Sequence, residues 1–152
     1  MEILLNLIIF LILLALGYFA GTHAEKKHYQ SIEKREDEYL NLLAVTLKNP
    51  GVDDSRVVQA ELVYGSVVIS IDYFKRLLAA LRNIFGGRVE AYESLIDRAR
   101  REAILRMKET AQGSDMIVNV RVETSSIGKS TNKKSVGGIE VVAYGTALTL
   151  RK

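Results

Sequence analysis

The chain has 152 residues, of which 21 are Lys or Arg and 18 are Asp or Glu, giving a net charge of +3. So mild a balance offers no basis for nucleic-acid binding, and this length holds one modest domain once the N-terminal residues are set apart. No cysteine is present, which excludes disulfides, thiolate nucleophiles and sulfur-ligated metal together.

From Ile3 to Ala20 the run ILLNLIIFLILLALGYFA carries no charge and a single strongly polar side chain, Asn6. A helix rising ~1.5 Å per residue takes this run about 27 Å, close to the hydrocarbon thickness of a bilayer. The pattern predicts a transmembrane helix over residues 1–22. A cleaved signal peptide fits less well, because Met1 and Glu2 precede the run without any basic residue. Lys26, Lys27, Lys34 and Arg35 follow it. The positive-inside rule then predicts a single-pass protein of the inner (cytoplasmic) membrane, N-terminus outside and C-terminal bulk in the cytoplasm. Leu4, Leu7, Leu11 and Leu14 recur at a and d spacing and Gly17 and Gly21 form a small-xxx-small pair, a candidate face for self-association in the bilayer.

Residues 23–48 contain THAEKKHYQSIEKREDEYLNLL, which has no helix breaker and predicts a juxtamembrane helical stalk continuous with the span. Tyr29, Ile32, Glu36 and Tyr39 to Leu43 form a strip at helical spacing, with Glu33, Lys34 and Asp37 off it. Asn49, Pro50 and Gly51 are turn residues that open an α/β domain over residues 49–152.

That domain reads strand, helix, helix, strand, strand. Val57 to Ile69 is valine-rich, with Gly65 and Ser66 read as a bulge or bend. A helix is expected from Tyr73 to Phe85, and a longer one from Glu90 to Gln112 with Tyr92, Ile96, Ala99, Ala103, Met107 and Ala111 on its inner stripe. Asp97 with Arg101, and Glu102 with Arg106, stand at i,i+4 and are placed on its outer surface. Gly113 stops it. In MIVNVRVE the residues Met116, Val118, Val120 and Val122 alternate with Ile117, Asn119, Arg121 and Glu123, which predicts one apolar face toward the helices. The last strand, Ile139 to Leu150, is apolar on both faces. An antiparallel sheet with helices on one side leaves its other face open, so copies of the chain are expected to cover it.

Sites of chemistry are scarce. The two histidines, His23 and His28, are five apart and project from nearly opposite sides of a helix turn, which makes them weak metal candidates within one chain. Gly128, Lys129 and Ser130 echo the end of a phosphate-binding loop, but Glu123 stands where that motif needs glycine. No histidine lies in the globular part to serve a nucleophile, so no catalytic residues and no enzyme are expected. Gly86 and Gly87 allow a sharp corner between two helices, and Arg88 opens the second, where only a partner carboxylate such as Glu93 would favour its charge.

Ile84, Phe85, Gly86, Gly87 and Arg88 followed by Ala91, Tyr92 and Glu93, together with MIVNVRVE and VVAYGTAL, resemble the YbjQ-like family, labelled heavy-metal-binding and of unknown function, over roughly residues 57–150. The resemblance implies a two-layer, dodecin-like α+β subunit that assembles as a pentameric ring, strands inside and helices outside. Gly65-Ser66-Val67 departs from the family's Gly-Glu-Ala and lacks its carboxylate. The expected function is a membrane-anchored homo-oligomeric ring acting as a cytoplasmic scaffold or binding platform. Its expected partners are further copies of itself and the lipid bilayer, and no cofactor is expected. One alternative is a metal-ion or small-ligand binding ring whose polar lumen is lined by Gln59, Glu61, Asn119, Arg121 and Glu123. Another is an oligomeric membrane channel, for which Asn6 is the pore-like polar residue.

Overall fold

A computed structural model describes residues 1–49, 51–70, 90–127 and 138–151. The expected helix Tyr73–Phe85 and the corner Gly86, Gly87 and Arg88 lie outside them, and so do Gly128, Lys129 and Ser130. The architecture is α+β, a long N-terminal helix followed by a mixed sheet with a second helix packed on it.

Helix α1 runs unbroken over Glu2–Glu38, because neither proline nor a glycine pair interrupts it. It is long and apolar enough to cross a membrane, and none of its most apolar stretch is buried against the rest of the chain. It ends earlier than the residue pattern suggests. Tyr39 donates its backbone N–H to Arg35 O at 3.0 Å, and Leu43–Ala44 leaves the helix as a short strand, β1. β1 runs parallel to the third strand, so the sheet is mixed where a purely antiparallel one was expected. A two-residue strand carries too little periodicity to be read from sequence.

After a 3₁₀ turn at Asp54–Arg56, β2 spans Val57–Ser70. Helix α2 follows at Glu90–Thr110, then β3 at Met116–Ile127 and β4 at Gly138–Leu150. The strand order is β1-β3-β4-β2, with β4 antiparallel to both neighbours. Gly113, at φ +88°, turns the chain from α2 into β3 as expected.

The core lies between α2 and one sheet face. Ala99, Ala103, Met107 and Ala111 of α2 are buried against Val63, Val67 and Ile69 of β2 and Ile139, Val141, Ala143 and Ala147 of β4. Small residues along α2 allow a close approach, and Gly65 is its tightest point. A Cβ there would lie 2.3 Å from Met107 N and 2.4 Å from Ala103 O. The pairing of β2 with β4 is continuous through Gly65↔Ala143, and the irregularity falls between Val57 and Gln59. Gly65 is therefore a contact glycine, not the bulge read from sequence.

A bulge does occur in β3. Its register with β4 slips between Val118 and Arg121, where Asn119 has a φ of 52°. Asn tolerates this left-handed conformation better than most residues with a side chain. The extra residue reverses the alternation along the strand. Ile117 and Val120 both join the core under α2, whereas Met116 and Val118 face the other way. The single apolar face expected for Met116, Val118, Val120 and Val122 is thus divided between the two sides of the sheet. Met116 and Val118 instead pack with Leu148 beneath Val45, Val52 and Val57.

Candidate functional site

Two surfaces stand out, the seam between α1 and α2 and the part of the other sheet face that lies beyond the cover of Val45, Val52 and Val57 and is exposed among the described residues. The seam forms because the strip Tyr29, Ile32, Glu36 and Tyr39 is the part of α1 that meets α2. Ile32 is fully buried. On α2 the partners are Arg98, Arg101, Glu102 and Glu109, spaced three, four and seven apart on one face. The stalk is therefore docked on the domain, and Glu102 is covered, not on the outer surface as its i,i+4 spacing suggested.

Glu102 is the centre of the seam, with only 3% of its surface exposed. It accepts hydrogen bonds from Arg35 and, at 2.9 Å, from Arg106 Nε, and His28 Nε2 lies 3.3 Å away. Burial pushes its carboxyl upward, but the hydrogen bonds from Arg35 and Arg106 outweigh this and hold it below the ordinary carboxylate range. Arg35 also donates to Glu109 at 3.0 Å. Arg101 spans Glu36 through two hydrogen bonds, a bidentate pair that holds the Glu36 carboxyl low. Tyr29 donates its hydroxyl to Ser94 O at 3.0 Å, and the Arg98 and Arg101 guanidinium groups stand 6.0 and 5.9 Å from its ring centre. Desolvation raises the Tyr29 hydroxyl above its ordinary value. Lys108 reaches Tyr39 O at 3.0 Å, and burial lowers its ammonium.

The second surface is the sheet face turned away from α2. It presents Leu62, Tyr64 and Val68 of β2, each more than half exposed, beside Tyr144 of β4. Arg121 pairs across to Tyr144 and Glu123 to Val142, so both lie on this open face. Gln59 pairs with Thr149 and Glu61 with Ala147, on the opposite face. There they line a pocket of about 200 Å³ with Gln112, Gly113 and Ser114, and Gln59 donates to the Glu61 carboxylate. Asn119 sits at the bulge, donating its backbone N–H to Leu47 O at 2.8 Å. The five candidate lumen residues therefore do not share one face within a chain, because β2 and β3 present their polar positions to opposite sides.

Of the remaining candidates, Glu93 is exposed on α2 and Tyr92 lies in its first turn. Leu4, Leu7 and Leu11 are exposed on α1, where Gly17 has open space around it, and Gly21 follows one turn later. His23 is exposed and His28 is in the seam, so they do not meet. The seam itself was missed by sequence reading. Its signal was present in the strip on α1, but the matching charges on α2 were assigned to solvent.

A family model described as "Putative heavy-metal-binding" (YbjQ_1) matches residues 44–151. The chain belongs to this family. A UPF0145 protein of Natronomonas pharaonis is 47% identical over 74 residues, covering 47% of this chain and 64% of its own length. One from Halobacterium salinarum is 42% identical over 88 residues, covering 57% and 78%. A solved structure of a protein of unknown function in the DUF74 family, from Pediococcus pentosaceus, aligns with a TM-score of 0.42 and 15% identity over 72% of this chain and 98% of that one. Among the described residues no three His, Asp or Glu side chains converge so as to hold an ion, and the chain has no cysteine.

Proposed function

We propose that this YbjQ-like chain is a membrane-anchored platform that associates with copies of itself, five in the ring that the family resemblance implies, and binds other molecules without catalysing a reaction. The observation that carries the reading is the open sheet face. Leu62 is 74% exposed, Tyr64 62% and Val68 57%, three large apolar side chains on one face of the strand with Ser66 between the last two. Such patches on a soluble surface mark an interaction site. The outer edge of β2, fourteen residues long, pairs with no other strand among the described residues, and an edge of that length invites pairing with another chain. Helix α1 supports anchoring, with its apolar run, the lysines after it, and the bilayer as its solvent. Lack of histidine beyond residue 28 supports a binding role over acid–base catalysis.

Light scattering with detergent contrast correction tests this directly. A ring of five gives a protein mass of about 85 kDa, five times the 17.0 kDa chain. A folded particle of one chain mass at micromolar concentration overturns the proposal.

A further inference from the structure

The geometry points to a binding site for a small primary alkylammonium ion in the pocket beyond the C-terminal end of α2, with the Glu61 carboxylate as its counter-ion. One chain supplies the lining residues, so the site is complete whether or not copies associate.

The pocket exists because the sheet outruns the helix. α2 ends at Thr110, while the start of β2 and the end of β4 continue past it. Val63 is the first β2 residue buried beneath α2, and Glu61 and Gln59, two and four residues earlier on the same face, are exposed beyond the helix end. Ala147 and Thr149 stand opposite them in register, and the turn at Gly113 and Ser114 closes one side. These four residues are small, which leaves about 200 Å³ unfilled. Pockets for drug-sized ligands run to about 300–1,000 Å³, so this one takes a smaller molecule.

Its walls are rich in acceptors. A carboxylate only accepts, so the Gln59 amide turns an N–H toward Glu61 Oε1 and keeps its carbonyl oxygen for another donor. Gln112 donates an N–H to Tyr39 Oη at 3.2 Å and likewise keeps its carbonyl oxygen. The hydroxyls of Ser114 and Thr149 can accept as well. No Lys, Arg or His is among the described residues that line the pocket. Lys108, in the last turn of α2, donates to Tyr39 O and belongs to the seam. Arg56 and Arg151 stand at the same end of the sheet, joined by a backbone hydrogen bond of 2.7 Å, and neither lines the pocket. The C-terminus of α2 adds its partial negative charge.

This combination decides the class of ligand. A primary ammonium carries one charge and three N–H donors, which match one carboxylate and the neutral oxygens around it. A divalent cation is bound tightly by several carboxylates, and Glu61 is the one carboxylate among the described lining residues. A guanidinium is best served by both oxygens of a carboxylate, and Glu61 Oε1 already accepts from Gln59. Ala147, in the floor of the pocket, offers a methyl group to a short alkyl chain.

The test uses the full chain in detergent, labelled with nitrogen-15 glycine. Among the 11 glycines, the Gly113 signal is assigned by its loss in Gly113→Asn, a substitution that keeps the left-handed turn. n-Butylammonium chloride is expected to move the Gly113 amide signal saturably at millimolar concentration, as befits a ligand of few atoms. Glu61→Gln is expected to raise the midpoint about tenfold while the other glycine signals stay in place. Tetramethylammonium, which has the charge but no N–H donor, is expected to leave the signal unmoved. A signal unmoved by n-butylammonium, moved equally by tetramethylammonium, or keeping its midpoint in Glu61→Gln overturns the proposal, and so does saturation by calcium chloride in place of the amine. Nα-acetyl-lysine methylamide separates the two sources of such an ion: a midpoint below that of n-butylammonium assigns a protein lysine, an equal or higher one a free amine. Light scattering on the same samples keeps the readings apart. Saturable binding by a particle of one chain mass overturns the ring and leaves the site standing, and a ring without binding overturns the site alone.

Discussion

Arg35 of α1 and Glu102 of α2 form an ion pair in which the Glu102 side chain is 4% exposed and the Arg35 side chain 22%. Removing one member of such a pair leaves the other facing low dielectric, which costs more than the pair contributes net. Glu102→Gln keeps the shape but removes the charge that three donors face. A stability loss of about 2–3 kcal/mol is expected, read as a lower urea midpoint. Glu33→Gln, off the strip, should leave the midpoint unchanged.

The same seam fixes a pH dependence. The Glu102 and Glu36 carboxyls are held below their ordinary value of 4.5, Glu102 against its burial by Arg35, Arg106 and His28, and Glu36 chiefly by Arg101. A folded-state pKa below the unfolded one contributes stability that is complete above the unfolded value and is lost as pH falls through the folded value. Stability is therefore expected to be flat for these groups above about pH 5 and to decline toward pH 3. Urea midpoints at several pH values measure the slope, and Glu102→Gln should flatten part of it.

Gly65 carries a steric prediction. Both atoms a Cβ would strike belong to the backbone of α2, Met107 N and Ala103 O, so no side-chain rotation relieves the clash. Gly65→Ala is expected to lift α2 from the sheet and cost about 3 kcal/mol. Gly138→Ala, where a Cβ would meet no atom nearer than 3.5 Å, is the matched control by thermal melting.

Asn119 tests the bulge. At φ 52° a β-branched residue is strained, so Asn119→Val should cost about 2 kcal/mol while Asn119→Gly stays within about 0.5 kcal/mol. Equal melting temperatures for the two would remove the bulge as the reason for that residue.

The open face makes the assembly testable by charge. Leu62→Lys and Tyr64→Lys place an ammonium at positions 74% and 62% exposed in one chain, where neither disturbs the core. Each is expected to leave the fold intact and to lower the mass in detergent from the assembly to the single chain.

Much of this fold was legible because periodicity survives in long elements. The stripe Ala99, Ala103, Met107 and Ala111 and the valine run of β2 reported their buried sides directly. Asn119 defeated the reading of β3, since one inserted residue inverts every later side chain while the alternation in the letters looks unbroken. The seam was hidden for a different reason. Charges at i,i+4 on a helix suggest solvent, and nothing in α2 alone shows that a second helix with complementary charges lies over them. Gln59, Glu61, Arg121 and Glu123 looked like one polar lining because register decides the face, and register is a property of paired strands, not of either sequence.

The short strand β1 has a practical bearing. Leu43 and Ala44 are threaded into the sheet edge just past α1, and Val45 and Leu47 continue the bonding to Ile117, Asn119 and Val120. The hydrophobic tail of this protein is thus not a detachable leash: trimming it back to the start of the family-like region would strip Arg35 and His28 from Glu102, and a fragment that keeps the seam has to begin near Thr22.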